Sequence, residues 1–148
     1  MKPRSYPQNP VFETQSERDV WNLLMNELPS QASIICNLHI LETNQEYELD
    51  FVVAWPEVGI SVIEVKGGRL TPNSDATFTQ VDAFGVRDID PIFQIGRNVH
   101  AVKNYVIKHS SLSNFSPRPT LVFPYSTIPV DYQRPEFPRC YIFDELEM

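Results

Sequence analysis

The chain has 148 residues, of which 42% are hydrophobic and 21% charged, a composition typical of one folded domain with a real core. Its formal net charge of −7 argues against a domain that grips long stretches of nucleic acid unaided. No apolar run approaches the roughly 18 residues of a membrane span, and two cysteines are too few for a disulfide scaffold or a zinc motif.

The first residues are polar and rich in proline, without the apolar stretch of a secretory signal. We predict an irregular arm over residues 1–13 and one domain over 14–148, which would fit the N-terminal part of a longer protein. Cys36 and Cys140 are interpreted as reduced thiols, so the expected location is cytoplasmic, with no membrane partner.

A first helix is predicted from near Thr14 to the Pro29-Ser30 pair. Its apolar stripe is made of Val20, Leu23, Leu24 and Leu28. Glu17 has two interpretations. It completes a capping box with Thr14, in the pattern S/T-x-x-E, or its side chain points along the packed face into a functional site.

Residues 34–41 predict a strand, with Ile34, Cys36, Leu38 and Ile40 on one face. His39 falls on the other face. We interpret it as a partly covered sheet histidine rather than a metal ligand, because no second histidine lies at ligand spacing.

The most informative stretch is residues 46–68. Two apolar runs, 49–55 and 60–65, flank a turn at 56–59, which predicts a hairpin in the centre of a sheet with both faces covered. Charged residues inside it are costly unless they are paired or bind a metal.

Three charged residues lie within this hairpin. Glu64 and Lys66 share one face of the second strand, and the turn predicts Asp50 roughly opposite Lys66 and Val65. Two carboxylates and one ammonium would therefore converge on a small area.

The second half of the chain gives weaker signals. Short edge strands are predicted at 69–71 and 77–81, and a helix begins at Asp90-Pro91 and runs through residue 108. Gln94 lies on a polar stripe of this helix. A polar loop (110–119), strands at 120–123 and 141–143, and the start of a helix at 144–148 complete the prediction.

Asp50, thirteen residues, and then Glu64-Val65-Lys66 resemble the D…ExK signature of the PD-(D/E)XK nuclease superfamily. More narrowly, ELDFVVAWPEVGISVIEVKGGRL is similar to the core of the nuclease-related domain (NERD), and the resemblance covers about residues 15–125. It implies an α/β fold with a three-layer αβββαβ restriction-endonuclease-like core around a central mixed sheet. Family members often carry histidine directly after the aspartate, where this chain has Phe51.

The resemblance also implies site residues. The carboxylates of Asp50 and Glu64 and the carbonyl of Val65 would hold Mg²⁺ or Mn²⁺, and Glu17 matches a first-helix glutamate that often joins such metal sites. Lys66 would orient the attacking water or stabilise charge on the phosphate. Gln94 resembles a family glutamine that would contact a carboxylate or a DNA phosphate.

Two classes of function remain open. The first is a metal-dependent nuclease that cleaves DNA, coupled, as the resemblance implies, to a helicase or kinase-like domain. The second is a non-catalytic nucleic-acid-binding or docking module with the same fold. In the second class, Asp50, Glu64 and Lys66 would form an ion network that only braces the sheet.

Overall fold

A computed structural model describes residues 1–111 and 115–148 of the chain. The helices are α1 (Gln15–Glu27) and α2 (Pro91–His109). The strands are β1 (Arg4–Tyr6), β2 (Ser33–Glu42), β3 (Gln45–Trp55), β4 (Gly59–Val65), β5 (Arg69–Pro72), β6 (Phe78–Asp82), β7 (Gly85–Ile89), β8 (Arg118–Phe123), β9 (Gln133–Arg134), β10 (Phe137–Pro138) and β11 (Ile142–Asp144). Two short 3-10 turns lie at Arg139–Tyr141 and Glu145–Glu147.

Six strands form a mixed central sheet in the order β1-β2-β3-β4-β8-β11. Strand β3 pairs antiparallel with both β2 and β4. Strand β8 pairs in parallel with β4, and β11 pairs in parallel with β8. Strand β3 lies in the interior of the sheet, so the prediction of a central, covered hairpin is confirmed. The predicted α/β class with a restriction-endonuclease-like core is confirmed as well.

The two helices cover opposite faces of this sheet. Val20 of α1 packs in a cluster with Val53 and Ile63, whereas Ile95 of α2 packs in a second cluster with Val52. Since Val52 and Val53 are neighbours on β3, the two clusters lie on opposite sides of the sheet. Among the described residues, neither helix is both long enough and apolar enough to cross a bilayer.

Both helices begin where the sequence predicts. The Thr14 hydroxyl accepts a hydrogen bond from the Glu17 N–H at the start of α1 (3.2 Å). Asp90 accepts one from the Phe93 N–H at the start of α2 (3.1 Å), and Pro91 is the first helical residue.

Several boundaries differ from the predictions. The arm is not wholly irregular, because Arg4–Tyr6 pairs in parallel with β2 and the indole of Trp21 donates to the Ser5 hydroxyl (3.0 Å). The helix predicted at 144–148 is one 3-10 turn, Glu145–Glu147. The predicted loop at 110–119 is shortened by β8, and its residues 112–114 lie outside the described part of the chain.

A separate three-stranded sheet follows the hairpin, in the order β5-β6-β7. The sequence predicts its first two strands but misses β7. Residues 85–88 of β7 are all exposed, so this strand lacks the alternation of apolar and polar residues that marks a half-buried strand.

The alternation of faces along β2 breaks at Asn37. Ile34 and Cys36 pack in the cluster on the α1 side, whereas Leu38 and Ile40 pack on the α2 side. The prediction that these four residues share one face is therefore wrong. Asn37 lies between the two pairs with a left-handed φ of 52°, which interrupts the regular pleat.

The alternation of faces along β3 also breaks, at the position beside Asn37. Leu49 packs on the α2 side and Phe51 on the α1 side, with Asp50 between them. The Cα register of β2 and β3 continues on both sides of this point, from Cys36 opposite Phe51 to Leu38 opposite Leu49. The irregularity therefore coincides with the aspartate of the predicted site.

Gly68 allows the small sheet to approach the end of the hairpin. Its φ is +70°, and a Cβ at this position would lie 2.7 Å from the Val81 carbonyl oxygen. We expect Gly68→Ala to lower the free energy of unfolding by about 3 kcal/mol, from backbone strain and steric overlap. Urea denaturation measures this loss.

Gly96 is the matched control for this substitution. It lies inside α2, and a Cβ there would meet no atom within 4 Å. Gly96→Ala should raise the free energy of unfolding by about 0.5–1 kcal/mol, because alanine loses less backbone entropy in a helix. Equal effects of the two substitutions would contradict the close approach at Gly68.

Candidate active site

The central hairpin brings the side chain of Asp50 to the end of β4. Pairing of β3 with β4 runs from Trp55 opposite Gly59 to Phe51 opposite Ile63, so the connecting loop has three residues, 56–58. The predicted turn at 56–59 is therefore one residue too long. The predicted position of Asp50, roughly opposite Val65 and Lys66, lies beyond the observed ladder.

The backbone pairing of β3 with β4 ends at Phe51. Beyond it, the side chain of Asp50 bonds the backbone of β4. The Val65 N–H donates to Asp50 Oδ2 at 2.8 Å. The N–H and C=O of one strand residue point to the same side, so the Val65 carbonyl also faces the β3 side of β4. Asp50 is thereby held beside a backbone oxygen.

Glu64 lies on the α2 side of the sheet and is only 4% exposed. Its Oε1 accepts a hydrogen bond from Gln94 Nε2 (2.9 Å), and its Oε2 accepts one from Asn98 Nδ2 (3.3 Å). The structure therefore brings the predicted Gln94 to Glu64. Asn98 lies one helical turn after Gln94 on the same polar stripe, but the sequence does not mark it as a site residue.

Lys66 directly follows β4. Its Nζ lies 3.7 Å from Glu64 Oε1, and its side chain is 21% exposed while that of Glu64 is 5% exposed. In the described part of the chain this is its one ion pair. At 3.7 Å it is longer than a charge-assisted hydrogen bond, so Lys66 does not fully neutralise the buried carboxylates.

Glu17 lies in the cap of α1, close enough to Asp50 for the two charges to interact. Its carboxylate Oε1 accepts a hydrogen bond from the Thr14 hydroxyl (2.9 Å), which belongs to the helix cap. Partial burial raises its pKa, and the nearby charge of Asp50 raises it further. The first turn of α1 therefore also adds a carboxylate to the electrostatics of the hairpin.

Burial raises the pKa of both hairpin carboxylates. Desolvation raises the pKa of Asp50, partly offset by the Val65 N–H and Lys66. Desolvation and the charge of Asp50 raise the pKa of Glu64 to about 8, while Lys66 lowers it. Without a cation, Glu64 therefore favours its protonated form at neutral pH.

The donor set of this site fits a hard divalent cation. Asp50, Glu64 and the Val65 carbonyl offer oxygen atoms, which Mg²⁺ and Mn²⁺ prefer. The raised carboxyl pKa values mean that negative charge here is incompletely compensated. A cation would supply that compensation.

His39 lies on an exposed part of the β2–β3 hairpin, with its side chain 53% exposed, so its interpretation as partly covered is wrong. Its Nδ1 lies 2.6 Å from Glu46 Oε1 and 4.0 Å from Glu48 Oε1. Among the described residues these three form a group that could hold a metal ion, but an exposed His–Glu ion pair accounts for the arrangement.

An αβββαβ core with acidic side chains on its central hairpin defines the restriction-endonuclease-like class. A family model for the nuclease-related domain (NERD) matches residues 13–124. This match covers more than half of the 148 residues, so the chain belongs to the nuclease-related domain family. No curated protein and no solved structure gives a significant match.

Proposed function

We propose that the protein is a metal-dependent nuclease that cleaves DNA phosphodiester bonds. One observation carries the proposal. The buried Glu64 and the half-buried Asp50, whose carboxyl pKa values are both raised, adjoin the partly exposed Lys66 at the end of the central hairpin. Such a group is poor design for stability alone, because buried charges that are incompletely paired cost free energy.

The metal would be Mg²⁺ or Mn²⁺, held by Asp50, Glu64 and the Val65 carbonyl, with Glu17 as a further carboxylate from α1. Bound there, the cation would lower the pKa of a water molecule and stabilise the charge that develops on the phosphate.

The remaining residues of the site orient groups and carry charge. Gln94 and Asn98 each donate to one oxygen of Glu64, which fixes the plane of its carboxylate. The Lys66 ammonium lies near enough to orient the attacking water or to stabilise the additional negative charge of the transition state.

The test is a cleavage assay on plasmid and single-stranded DNA with Mg²⁺ or Mn²⁺, beside EDTA. Asp50→Asn should remove cleavage, since it removes one anionic metal ligand. Absence of metal-dependent cleavage by the parent protein, with intact DNA binding, would favour the non-catalytic docking module.

We expect calorimetry with Mn²⁺ to detect binding that Glu64→Gln abolishes, because the neutral amide is a much weaker ligand. The matched control is His39→Ala, which disrupts the exposed His39, Glu46 and Glu48 group but leaves the hairpin site intact. Loss of binding in His39→Ala with retention in Glu64→Gln would place the metal on the exposed group instead.

The proposed setting is cytoplasmic DNA processing together with a helicase or kinase-like domain. The net charge of −7 supports a partner, because an acidic domain gains DNA affinity when another domain supplies a basic surface. Comparing DNA binding of this chain alone and joined to its partner would test this dependence.

A further inference from the structure

The hairpin between β6 and β7 presents an apolar tip to solvent. Phe84 in its turn is 93% exposed, and the paired strand residues Val81 and Val86 are 46% and 70% exposed. Single exposed apolar residues are ordinary. Here three lie together, and contiguous exposed apolar residues mark binding sites.

This tip is fixed beside the candidate active site. The Gln80 side chain, which is buried, donates to the Gly67 carbonyl at 2.9 Å. The end of β6 also lies so close to Gly68 that a Cβ there would be 3.0 Å from the Cβ of Asp82. Gly67 and Gly68 directly follow Lys66, so the turn end of the hairpin adjoins the segment that carries the lysine.

Hydrogen bonds to the Asp82 side chain hold the turn that carries Phe84. Asp82 accepts a hydrogen bond from the Phe84 N–H (2.9 Å) and two from the Arg87 guanidinium (3.2 and 2.7 Å). Phe84 lies two residues beyond Asp82, so their Cα atoms are at most about 7 Å apart. The backbone that carries the ring is therefore held near the site, which reduces the ordering cost of binding.

A positively charged side chain, that of Arg69, lies in the same cross-strand row as Val81 and Val86. Arg69 of β5 pairs in register with Val81, which pairs with Val86. The alternation along these strands places the three side chains on one face. Arg69 is exposed and, within the described ranges, forms no ion pair or side-chain hydrogen bond.

We propose that this face is a subsite for one nucleotide of single-stranded DNA. Phe84 stacks on an unpaired base, Val81 and Val86 contact the same nucleotide, and Arg69 binds a neighbouring phosphate. An aromatic ring beside an unpaired arginine suits an exposed base and its phosphate. The inference rests on the proposed function, because it assigns a substrate class to the same site.

The negative net charge of the chain favours base stacking as the main source of its affinity for DNA. With a net charge of −7, long-range attraction to DNA is weak, whereas stacking depends on contact and on an exposed base face. Bases in a blunt duplex are covered by their neighbours. The subsite therefore selects single strands and unpaired ends over closed duplexes.

The experiment measures the dissociation constant of a labelled oligothymidylate by fluorescence anisotropy, with Ca²⁺ replacing Mg²⁺. Phe84→Ala should weaken binding roughly 5- to 150-fold, the range found when one stacking residue is removed. Phe84→Trp should retain binding, and Arg69→Ala should reduce its salt dependence by about one phosphate contact.

The matched control is Tyr105→Ala, an exposed aromatic on α2, eleven residues and so about 16 Å along the helix from Gln94. It should leave binding unchanged. In a series of oligonucleotides with one abasic position, the effect of Phe84→Ala should vanish at the position that stacks, because the interaction is then already absent.

Failure of this inference can be distinguished from failure of the proposed nuclease. Unchanged binding in Phe84→Ala, or equal losses on single strands and blunt duplex, would overturn the subsite. If the parent protein binds oligothymidylate through Phe84 but does not cleave DNA with Mg²⁺, the nuclease proposal fails and the subsite stands. Absence of any DNA binding would overturn both.

Discussion

Replacing Lys66 by methionine is expected to lower the rate of Mg²⁺-dependent DNA cleavage by about 10²–10³-fold, because it removes a positive charge that acts in the transition state. The free energy of unfolding should change by less than about 1 kcal/mol. The Lys66–Glu64 ion pair is 3.7 Å long and partly open to solvent, and such pairs contribute little. Single-turnover cleavage and urea denaturation measure the two effects.

Lys103→Met is the control for this variant, since Lys103 is an exposed lysine of α2. It should leave both cleavage and stability unchanged. If Lys66 instead braces the sheet, Lys66→Met would cost about 3–5 kcal/mol, the cost of leaving buried carboxylates without their partner. A loss of that size, without metal-dependent cleavage by the parent protein, would refute the catalytic role.

The metal-free protein is expected to lose stability as the pH rises from about 4.5 towards 8. The pKa of Glu64 is raised to about 8 in the folded state from an ordinary value of 4.5, so the folded state retains its proton over a range where the unfolded chain loses it. The contribution of Glu64 is therefore fully present below pH 4.5 and lost through pH 8. Its size is a few kcal/mol, because each pKa unit corresponds to about 1.4 kcal/mol.

The measurement is the difference in free energy of unfolding between the parent protein and Glu64→Gln across this pH range. Taking the difference removes the contribution of carboxylates that do not interact with Glu64, and Glu136→Gln, at an exposed position, serves as the control. Relative to the parent, Glu64→Gln should gain stability as the pH rises. A difference that does not depend on pH would show that Glu64 is not protonated in the folded protein.

Added Mg²⁺ should oppose this loss at pH 8. A ligand that binds only the folded state stabilises it in proportion to the logarithm of its concentration above the dissociation constant. The ionised carboxylates are the form that binds the cation, so the stabilisation should grow with pH. It should be absent in Glu64→Gln.

The sequence predicts that the hairpin carboxylates lie close together, because their signal is local. Asp50 and Glu64 are charged residues within apolar strand runs, and charge in that setting points to a site. Gln94 follows from its resemblance to a family residue. Asn98 is missed because its importance comes from a contact with Glu64, thirty-four residues away in sequence, that no local pattern shows.

Other differences also have physical causes. The face switch at Asn37 depends on one left-handed residue inside a strand, whereas the prediction assumes strict alternation. Strand β7 is too exposed to produce an apolar pattern, and the three residues of β1 are stabilised by pairing with β2 rather than by their own sequence. Tertiary context decides each of these elements.

Because the alternation of faces breaks at Asp50, side chains from the helices on both sides of the sheet can reach one site. On a regular strand, Asp50 would belong to a single face and could meet side chains from one helix only. At the switch, its carboxylate instead bonds the Val65 N–H along the edge of β4, near Glu17 from α1 and near Glu64, which Gln94 from α2 holds. Transplanting the D…ExK spacing onto an ideal hairpin would therefore reproduce the charges but lose one of the two helices as a contributor.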